Sequence, residues 1–271
     1  MERLVALCAR LGICSRNEAA RYIRLGLIAV NGRPVHEPAA VVSSDAHVEL
    51  LERGKRMQAQ KVTIMLHKPQ YYASCRAAEG VPLARKLLIP ANRAASCRTR
   101  HDPRQLSRLQ AADILDEGSS GLLLFSQDGR VATRLSRDAN LEKEYHLRTY
   151  GDVTTSQLVA LRAGLESLTD SEELGGAIDA CDVLPKKARA APSSADRQRF
   201  AADASQPAIQ DQLRVVVRGH LPSGRVRKAC GLAGLRLEGV ARVRVGSVLL
   251  GDLLMGQWTV VSTDELLAQK K

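Results

Sequence analysis

The sequence is poor in aromatic residues, which make up 3% of its 271 residues. The hydrophobic share of 45% is nevertheless ordinary for a globular protein, so we expect a core built mainly from Leu, Val, Ile and Ala. The chain has no run of 18 apolar residues of the kind that spans a bilayer, which excludes a membrane-spanning helix. Its first segment, MERLVALCARLG, mixes charges with apolar residues and lacks a small-residue cleavage site, so we expect no secretory signal.

The six cysteines contain none of the C-x-x-C pairs that zinc sites and redox motifs use. They stand at positions 8, 14, 75, 97, 181 and 230. This irregular spacing predicts reduced thiols in a reducing compartment and no structural zinc. His67, His146 and His220 also lack ligand spacing and are interpreted as structural. We therefore predict no metal, no cofactor and a cytoplasmic location; an organellar matrix reached after removal of a leader fits the same pattern.

Acidic residues are outnumbered, with 29 Asp and Glu against 40 Lys and Arg, for a formal net charge of +11. A chain with this excess is attracted to polyanions, which leaves nucleic acids and anionic membrane surfaces as partners. Peripheral membrane proteins use a cationic amphipathic helix that carries Trp or Phe, and the sequence contains no strong example. The charge therefore favours a nucleic acid and predicts no membrane association.

Residues 1–51 read as a compact unit. The segment RLVALCARLG predicts a helix that ends at Gly12, SRNE at Ser15–Glu18 is a capping box that begins a second helix, and LIAVNGRPV predicts a hairpin turning at Asn31–Gly32. Together, GICSRNEAARYIRLGLIAVNGRPV resembles the S4 RNA-binding domain. The alternative is a small helical unit with a solvated basic face. The polar, basic residues 52–61 are predicted to be a linker between domains.

The S4 resemblance implies that six residues of this unit face RNA phosphates. Phosphate contacts of this kind position a protein on RNA but carry little sequence information. The residues are Arg3, Arg16, Arg21, Asn31, Gly32 and Arg33.

Residues 62–271 alternate short strand patterns with helical ones, but not in a βαβ rhythm. This arrangement predicts an α+β domain with a mostly antiparallel central sheet and flanking helices. The Arg- and Ala-rich residues 76–112 fit either a loop or a poorly patterned helix. The Ala-, Ser- and Arg-rich residues 186–211 are predicted to be a flexible insertion.

Four blocks of this second region resemble the pseudouridine synthase superfamily, in the RsuA/RluF-like branch that modifies ribosomal RNA. They are IMLHKP, DILDEGSSGLLLFSQDG, NLEKEYHLRT and RVRKACGLAGLRLEGVARVRVGSVLLGDLLMGQW. With the S4 unit, the resemblance runs through nearly the whole chain in the family's order. It implies ribosomal RNA or a pre-ribosomal particle as the partner, a role in ribosome biogenesis, and a protein that is monomeric when free.

The resemblance also implies roles for individual residues. Asp116 falls on the family's nucleophile, Tyr145 on the residue that stacks on the flipped base, and Arg227 on the cation that pairs with the carboxylate. A carboxylate suits the reaction, in which the N-glycosidic bond breaks, the uracil rotates and the base is rejoined through carbon. Read without the family, an Asp in this setting is more often a turn or cap residue.

Three further basic residues are candidates for contact with RNA. Arg225 and Lys228 lie beside Arg227 in the basic segment, and Lys68 follows the first strand of this region. Lys68 either contacts RNA or simply lies beside a turn.

The active-site motif departs from the family at two positions. Asp113 and Ile114 stand where the family has Gly-Arg. The family's Arg helps to hold the displaced nucleotide and takes the space that the flipped base leaves; Ile114 cannot donate a hydrogen bond, and we expect Asp113 to present a negative charge to RNA. Two hypotheses follow: an active pseudouridine synthase, or a catalytically impaired homologue that binds RNA as a ribosome-assembly factor.

Overall fold

The computed structural model describes residues 1–97, 106–169, 176–184, 209–219 and 221–268. The predicted insertion at 186–211 lies outside the described residues, except that 209–211 belong to a strand. His220 and part of the Arg- and Ala-rich stretch, 98–105, also lie outside them.

The N-terminal unit packs two helices against a small sheet, as predicted. Ser15 and Glu18 form the predicted capping box, and the hairpin turns at Asn31 and Gly32, whose φ values are +49° and +78°. The core between helices and sheet is built from Leu4, Leu7, Ile23 and Ile28 among others. The elements are β1 (Glu2–Arg3), α1 (Leu4–Arg10), α2 (Arg16–Arg24), β2 (Ile28–Val30), β3 (Arg33–Val35), β4 (Val41–Val42) and β5 (Val48–Leu50).

The segment predicted to be a linker contains a helix, α3 (Glu52–Ala59). Glu, Lys, Arg, Met, Gln and Ala all have good helix propensity, which explains why this polar segment is helical. The Gln58 side chain donates a hydrogen bond to the carbonyl of Ile13 (2.8 Å), so the helix is attached to the N-terminal unit.

The second region is organised by a nine-stranded sheet. Its main path runs β10-β11-β9-β12-β8-β6-β14, while β13 pairs with β12 and β7 with β8. Every pairing is antiparallel except β12 with β8, which confirms the predicted α+β class. The strands are β6 (Thr63–Lys68), β7 (Gln110–Ala111), β8 (Ser119–Ser126), β9 (Glu142–Tyr150), β10 (Gly176–Val183), β11 (Ile209–Gly219), β12 (Leu237–Val245), β13 (Val248–Leu249) and β14 (Trp258–Val261).

Helices cover the sheet, and β8 lies at its centre with all eight residues buried. Two short 3₁₀ helices, Ala84–Leu87 and Pro90–Asn92, follow β6. The flanking α-helices are α4 (Gly129–Arg137), α5 (Thr155–Thr169), α6 (Ser223–Leu232) and α7 (Thr263–Leu267). Helices α5 and α6 pack over β9 and β11 around Leu161, Leu165 and Val226. None of the helices among the described residues is long and apolar enough to cross a membrane.

The N-terminal unit contacts the second region where α2 and α4 begin. Glu18 forms an ion pair with Lys61 and accepts a hydrogen bond from the Gly129 backbone N–H (3.3 Å). Lys61 also lies 3.9 Å from Asp128, the N-cap residue of α4. This contact places the S4-like unit at the carboxyl end of β8, whereas Asp116 lies before its amino end.

Candidate active site

Asp116 lies in the turn before β8, beside the first turn of α6. The Ser119 hydroxyl donates a hydrogen bond to Asp116 Oδ1 (2.7 Å), and the Ser223 hydroxyl donates to the same oxygen. The Asp116 backbone N–H in turn donates to Ser223 Oγ (3.1 Å). Because the amino end of a helix carries partial positive charge, α6 favours an anion at this position. The carboxylate is therefore stabilised by two hydroxyls and a helix end, while 31% of its side chain remains exposed.

Arg227 lies one turn along α6 from Ser223, and its guanidinium reaches the same carboxylate. Its Nε is 3.8 Å from Asp116 Oδ2, and Nη2 donates a hydrogen bond to the carbonyl of Gly118. The structure thus brings Asp116 and Arg227 together from segments more than 100 residues apart, as the resemblance implies. Their catalytic roles stay predictions.

Tyr145 lies beneath this site in β9, and its side chain is fully buried at 0% exposure. Its hydroxyl donates a hydrogen bond to the carbonyl of Leu221 (3.1 Å), just before α6 begins. Burial raises the pKa of the hydroxyl to about 12. In this conformation no part of the ring is open to a flipped base, so the expected stacking role is not available to Tyr145 without a rearrangement of the site.

Lys68, at the end of β6, is also fully buried. Its Nζ donates hydrogen bonds to the carbonyls of Pro69 (3.0 Å) and Tyr72 (2.8 Å). Burial lowers the pKa of Lys68 to about 8, although the charge of Asp116 acts in the opposite direction. In this conformation the ammonium is directed into the turn that it stabilises, which fits the alternative that Lys68 lies beside a turn; contact with RNA stays a prediction.

The expectation that Asp113 presents a negative charge to RNA is wrong for this structure. Its side chain is 6% exposed and does not present its charge to RNA; instead Oδ2 lies 2.6 Å from Arg242 Nη1 and 3.3 Å from Lys143 Nζ. Burial alone would raise the pKa of this carboxyl, but the two cations outweigh it and hold the pKa below its usual range. Ile114, by contrast, is 59% exposed.

The other predicted RNA contacts are at the surface, with one exception. Arg3, Arg16, Arg21, Asn31, Gly32 and Arg33 of the N-terminal unit are exposed, and so is Lys228. Arg225 is half-buried and donates a hydrogen bond to the carbonyl of Leu168 (3.2 Å). Contact of these residues with RNA remains a prediction.

Sequence reasoning missed several residues that form the site. Ser119 and Ser223 were not singled out, and neither were Lys143 and Arg242. The strand ARVRVG offers a signal for Arg242, since a charged residue alternating into a buried face needs a partner. Among the described residues, no group of three or more His, Cys, Asp and Glu side chains could hold a metal ion.

Comparison with known families decides the class of this chain. Residues 2–48 match the S4 domain, and residues 62–219 match the family of RNA pseudouridylate synthases. The second match covers more than half of the chain. The chain belongs to the RNA pseudouridylate synthase family. Both resemblances seen in the sequence, S4 and pseudouridine synthase, are thereby confirmed.

Individual relatives agree with this family. Ribosomal large subunit pseudouridine synthase B of Vibrio cholerae is 31% identical over 178 residues, which are 61% of this chain and 49% of that protein. A chloroplastic protein of Arabidopsis thaliana, provisionally named a ribosomal large subunit pseudouridine synthase, is 26% identical over 98% of this chain and 60% of its own length. The chain thus spans about half to three fifths of the length of these relatives.

A solved structure supports the fold. The crystal structure of a pseudouridylate synthase superposes with a TM-score of 0.51 at 17% identity, over 98% of this chain and 99% of that one. At this identity the likeness concerns the fold alone.

Proposed function

We propose that this pseudouridine synthase homologue isomerises a uridine in ribosomal RNA, with Asp116 as the nucleophile. The observation that carries the proposal is the pairing of Asp116 with Arg227 before the amino end of β8. Arg227 Nε lies 3.8 Å from Asp116 Oδ2, and both side chains are partly exposed. A carboxylate can serve as the nucleophile in covalent catalysis, and here a fixed cation lies beside it. The names of the relatives, which refer to the large ribosomal subunit, support ribosomal RNA as the substrate.

The residues around Asp116 suit a carboxylate that must stay charged. The Asp116 carboxylate accepts hydrogen bonds from Ser119 and Ser223 and lies beside the cation of Arg227. In the proposed reaction the carboxylate attacks the nucleoside and the N-glycosidic bond between N1 and C1′ breaks. The freed uracil rotates, its C5 bonds to C1′ as the carboxylate is released, C5 then loses its proton, and N1 gains one. The product is an isomer of the substrate, so the reaction consumes no other reactant.

Access to the target atom requires the nucleotide to leave its stack and enter the site. The exposed share of Asp116 and Arg227 provides the opening for a flipped uridine. Exposed basic residues of the S4 unit, such as Arg16 and Arg21, would hold the RNA through its phosphates.

A catalytically impaired RNA-binding assembly factor is the second candidate, and Ile114 favours it. The apolar side chain is 59% exposed where the family has an arginine. Loss of one preorganised donor typically slows catalysis about 100- to 1000-fold while leaving binding largely intact. The two functions therefore differ in turnover rather than in affinity for RNA.

The experiment that separates them maps pseudouridines in ribosomal RNA from cells that carry the wild-type protein, Asp116→Ala, Glu117→Gln or a deletion. Glu117 is the matched control, since it is the adjacent acid, whereas the guanidinium of Arg227 pairs with Asp116 and the carbonyl of Gly118. We expect one uridine to lose modification with Asp116→Ala and with the deletion, but not with Glu117→Gln. If all uridines stay modified while Asp116→Ala rescues a particle-assembly defect of the deletion, the assembly-factor function is correct instead.

A further inference from the structure

Tyr71 is an exposed aromatic side chain beside the candidate nucleophile. It is 73% exposed, the highest value for any aromatic residue among the exposed large hydrophobic side chains of the described chain. Aromatic residues are scarce in this protein, and Tyr145 is closed off by burial. An exposed tyrosine at this place offers a ring face that a base can use.

The turn that carries Tyr71 is bonded to both sides of Asp116. The Tyr71 backbone N–H donates to the carbonyl of Glu117 (2.7 Å), and the Ser74 hydroxyl donates to the carbonyl of Leu115 (2.6 Å) and accepts from its N–H (3.0 Å). From these bonds and standard backbone dimensions, the Cα atoms of Tyr71 and Asp116 lie within about 10 Å of each other.

The turn is also held in an unfavourable conformation. Tyr71 has φ +64°, in the left-handed region that bulky residues rarely adopt. Lys68 stabilises the turn through its bonds to Pro69 and Tyr72, from a fully buried position. A strained residue that its surroundings fix in place next to a reactive group is typical of a functional position.

Ile114 is a second exposed hydrophobic side chain, in the segment that leads to Asp116. It is 59% exposed and directly precedes Leu115, which is bonded to Ser74. Two exposed hydrophobic side chains therefore lie in segments that are connected to Asp116, Ile114 through the chain and Tyr71 through hydrogen bonds, in a protein with a formal charge of +11. Proteins that open base stacks use apolar side chains between bases and aromatic rings against them.

We propose that Tyr71 is a base-stacking residue for the RNA nucleotide next to the target uridine. This inference rests on the proposed function in so far as RNA lies over Asp116. It assigns to the turn after β6 a contact that the buried Tyr145 and Lys68 do not make in this conformation.

The test uses the full chain and a 12-nucleotide single-stranded oligouridine that carries 4-thiouridine and a fluorescent end label. Affinity is measured by anisotropy, and photocrosslinked peptides are located by mass spectrometry. We expect Tyr71→Phe to bind within about twofold of wild type, and Tyr71→Gly to bind roughly tenfold more weakly, the size of one lost base stack. The crosslink is expected in the peptide that contains Tyr71.

Tyr71→Gly separates stacking from a structural role, because glycine adopts φ +64° without strain. We expect its thermal midpoint to equal or exceed that of wild type while its affinity falls. Leu249→Ala, which removes another exposed hydrophobic side chain from β13 (61% exposed), is the control and should bind as wild type does.

Wild-type affinity in Tyr71→Gly, or a wild type that does not bind or crosslink the probe, overturns the inference. The outcome is independent of catalysis. If Tyr71→Gly binds more weakly than wild type but wild type forms no pseudouridine, the stacking role stands and the proposed function is wrong. If Tyr71→Gly binds as wild type does and wild type forms pseudouridine, the stacking role is wrong and the proposed function stands.

Discussion

At the scale of single residues, Asp113 shows how the surroundings of the site accommodate a departure from the family motif. A buried carboxylate is costly unless it is paired, and Asp113 has two cationic partners, Arg242 and Lys143, on neighbouring strands. The Arg242 guanidinium also donates to the carbonyl of Leu122 in β8 (2.9 Å). The ion cluster therefore connects the segment before Asp116 to strands β8, β9 and β12.

Removal of the Asp113 carboxylate should destabilise the protein. Asp113→Ala leaves two buried cations without their anion, a change that typically costs about 3–5 kcal/mol in the free energy of unfolding. Denaturant unfolding measures the loss, with Asp252→Ala at an exposed position as the control. A loss below about 1 kcal/mol, the range of surface pairs, would contradict this account.

Restoring a donor at position 114 should increase turnover. Ile114 is exposed beside Leu115 and Asp116, so Ile114→Arg introduces its guanidinium at the surface without a packing penalty. We expect pseudouridine formation to rise about tenfold or more, a conservative share of what one preorganised donor contributes. Ile114→Gln is the matched variant without charge, and equal rates for both variants and wild type would show that this position does not limit catalysis.

The family resemblance predicted which residues meet at the site better than it predicted their environments. Asp116 and Arg227 were found from motif positions, because these follow the order of the chain. The burial of Lys68, Asp113 and Tyr145 depends on which segments cover them, and a single sequence does not carry that information.

At the scale of elements, the strands β9, β11 and β12 are joined by a cluster of charges on one face of the sheet. Glu144 of β9 pairs with Arg214 of β11 (3.0 Å) and Arg244 of β12 (3.1 Å), and its carboxylate also contacts His146 (3.0 Å). Burial alone would raise the pKa of Glu144, but the hydrogen bonds from its partners lower it to about 2. One carboxylate thus connects three strands.

This pairing predicts an acid-dependent loss of stability. Because the folded-state pKa of Glu144 lies below the ordinary value of 4.5, its contribution is fully present above pH 4.5 and is lost as the pH falls towards 2. Glu144→Gln should therefore be less stable than wild type at pH 7, with a gap that narrows between pH 4.5 and 2. Unfolding measured across this range tests it; a gap that stays constant would contradict the assignment.

Most helices and strands could be predicted from local patterns, and the exceptions have physical reasons. The capping box at Ser15–Glu18 and the Asn31–Gly32 turn define α2 and the hairpin through local chemistry alone. Strand β10 was not predicted, because the sequence GAIDACDV has little alternation and its strand form depends on pairing with β11. Helix α3 was read as a linker because it has no continuous apolar face, although its propensity is helical.

At the scale of the whole molecule, the S4-like unit is packed closely against the pseudouridine synthase-like region. Gly129 begins α4 directly against α2, and a Cβ atom there would fall inside contact distance of the Ser15 side chain and of Glu18. Glu18 in turn pairs with Lys61, the last residue of the segment 52–61 that was predicted to be a linker. The contact fixes the RNA-binding unit on the opposite end of β8 from Asp116.

Gly129→Ala should therefore destabilise the protein by about 1–3 kcal/mol, the usual cost of overpacking. The control is Gly231→Ala in α6, where an added Cβ meets nothing within 4 Å. There alanine should stabilise the helix by up to about 1 kcal/mol. Thermal unfolding compares the two variants. Equal midpoints for Gly129→Ala and Gly231→Ala would contradict this prediction, because they would mean that the interface accommodates the added methyl group without cost.

The central claim, that Asp116 performs uridine isomerisation in this chain, is tested most directly with purified protein and ribosomal RNA transcripts. Pseudouridine is counted after incubation with wild type and with Asp116→Asn, a variant that keeps the size of the side chain but not its charge. The account predicts site-specific pseudouridine with wild type and none with Asp116→Asn, at matching RNA affinity. Equal pseudouridine formation by both proteins, or none by either while both bind the RNA, would contradict it.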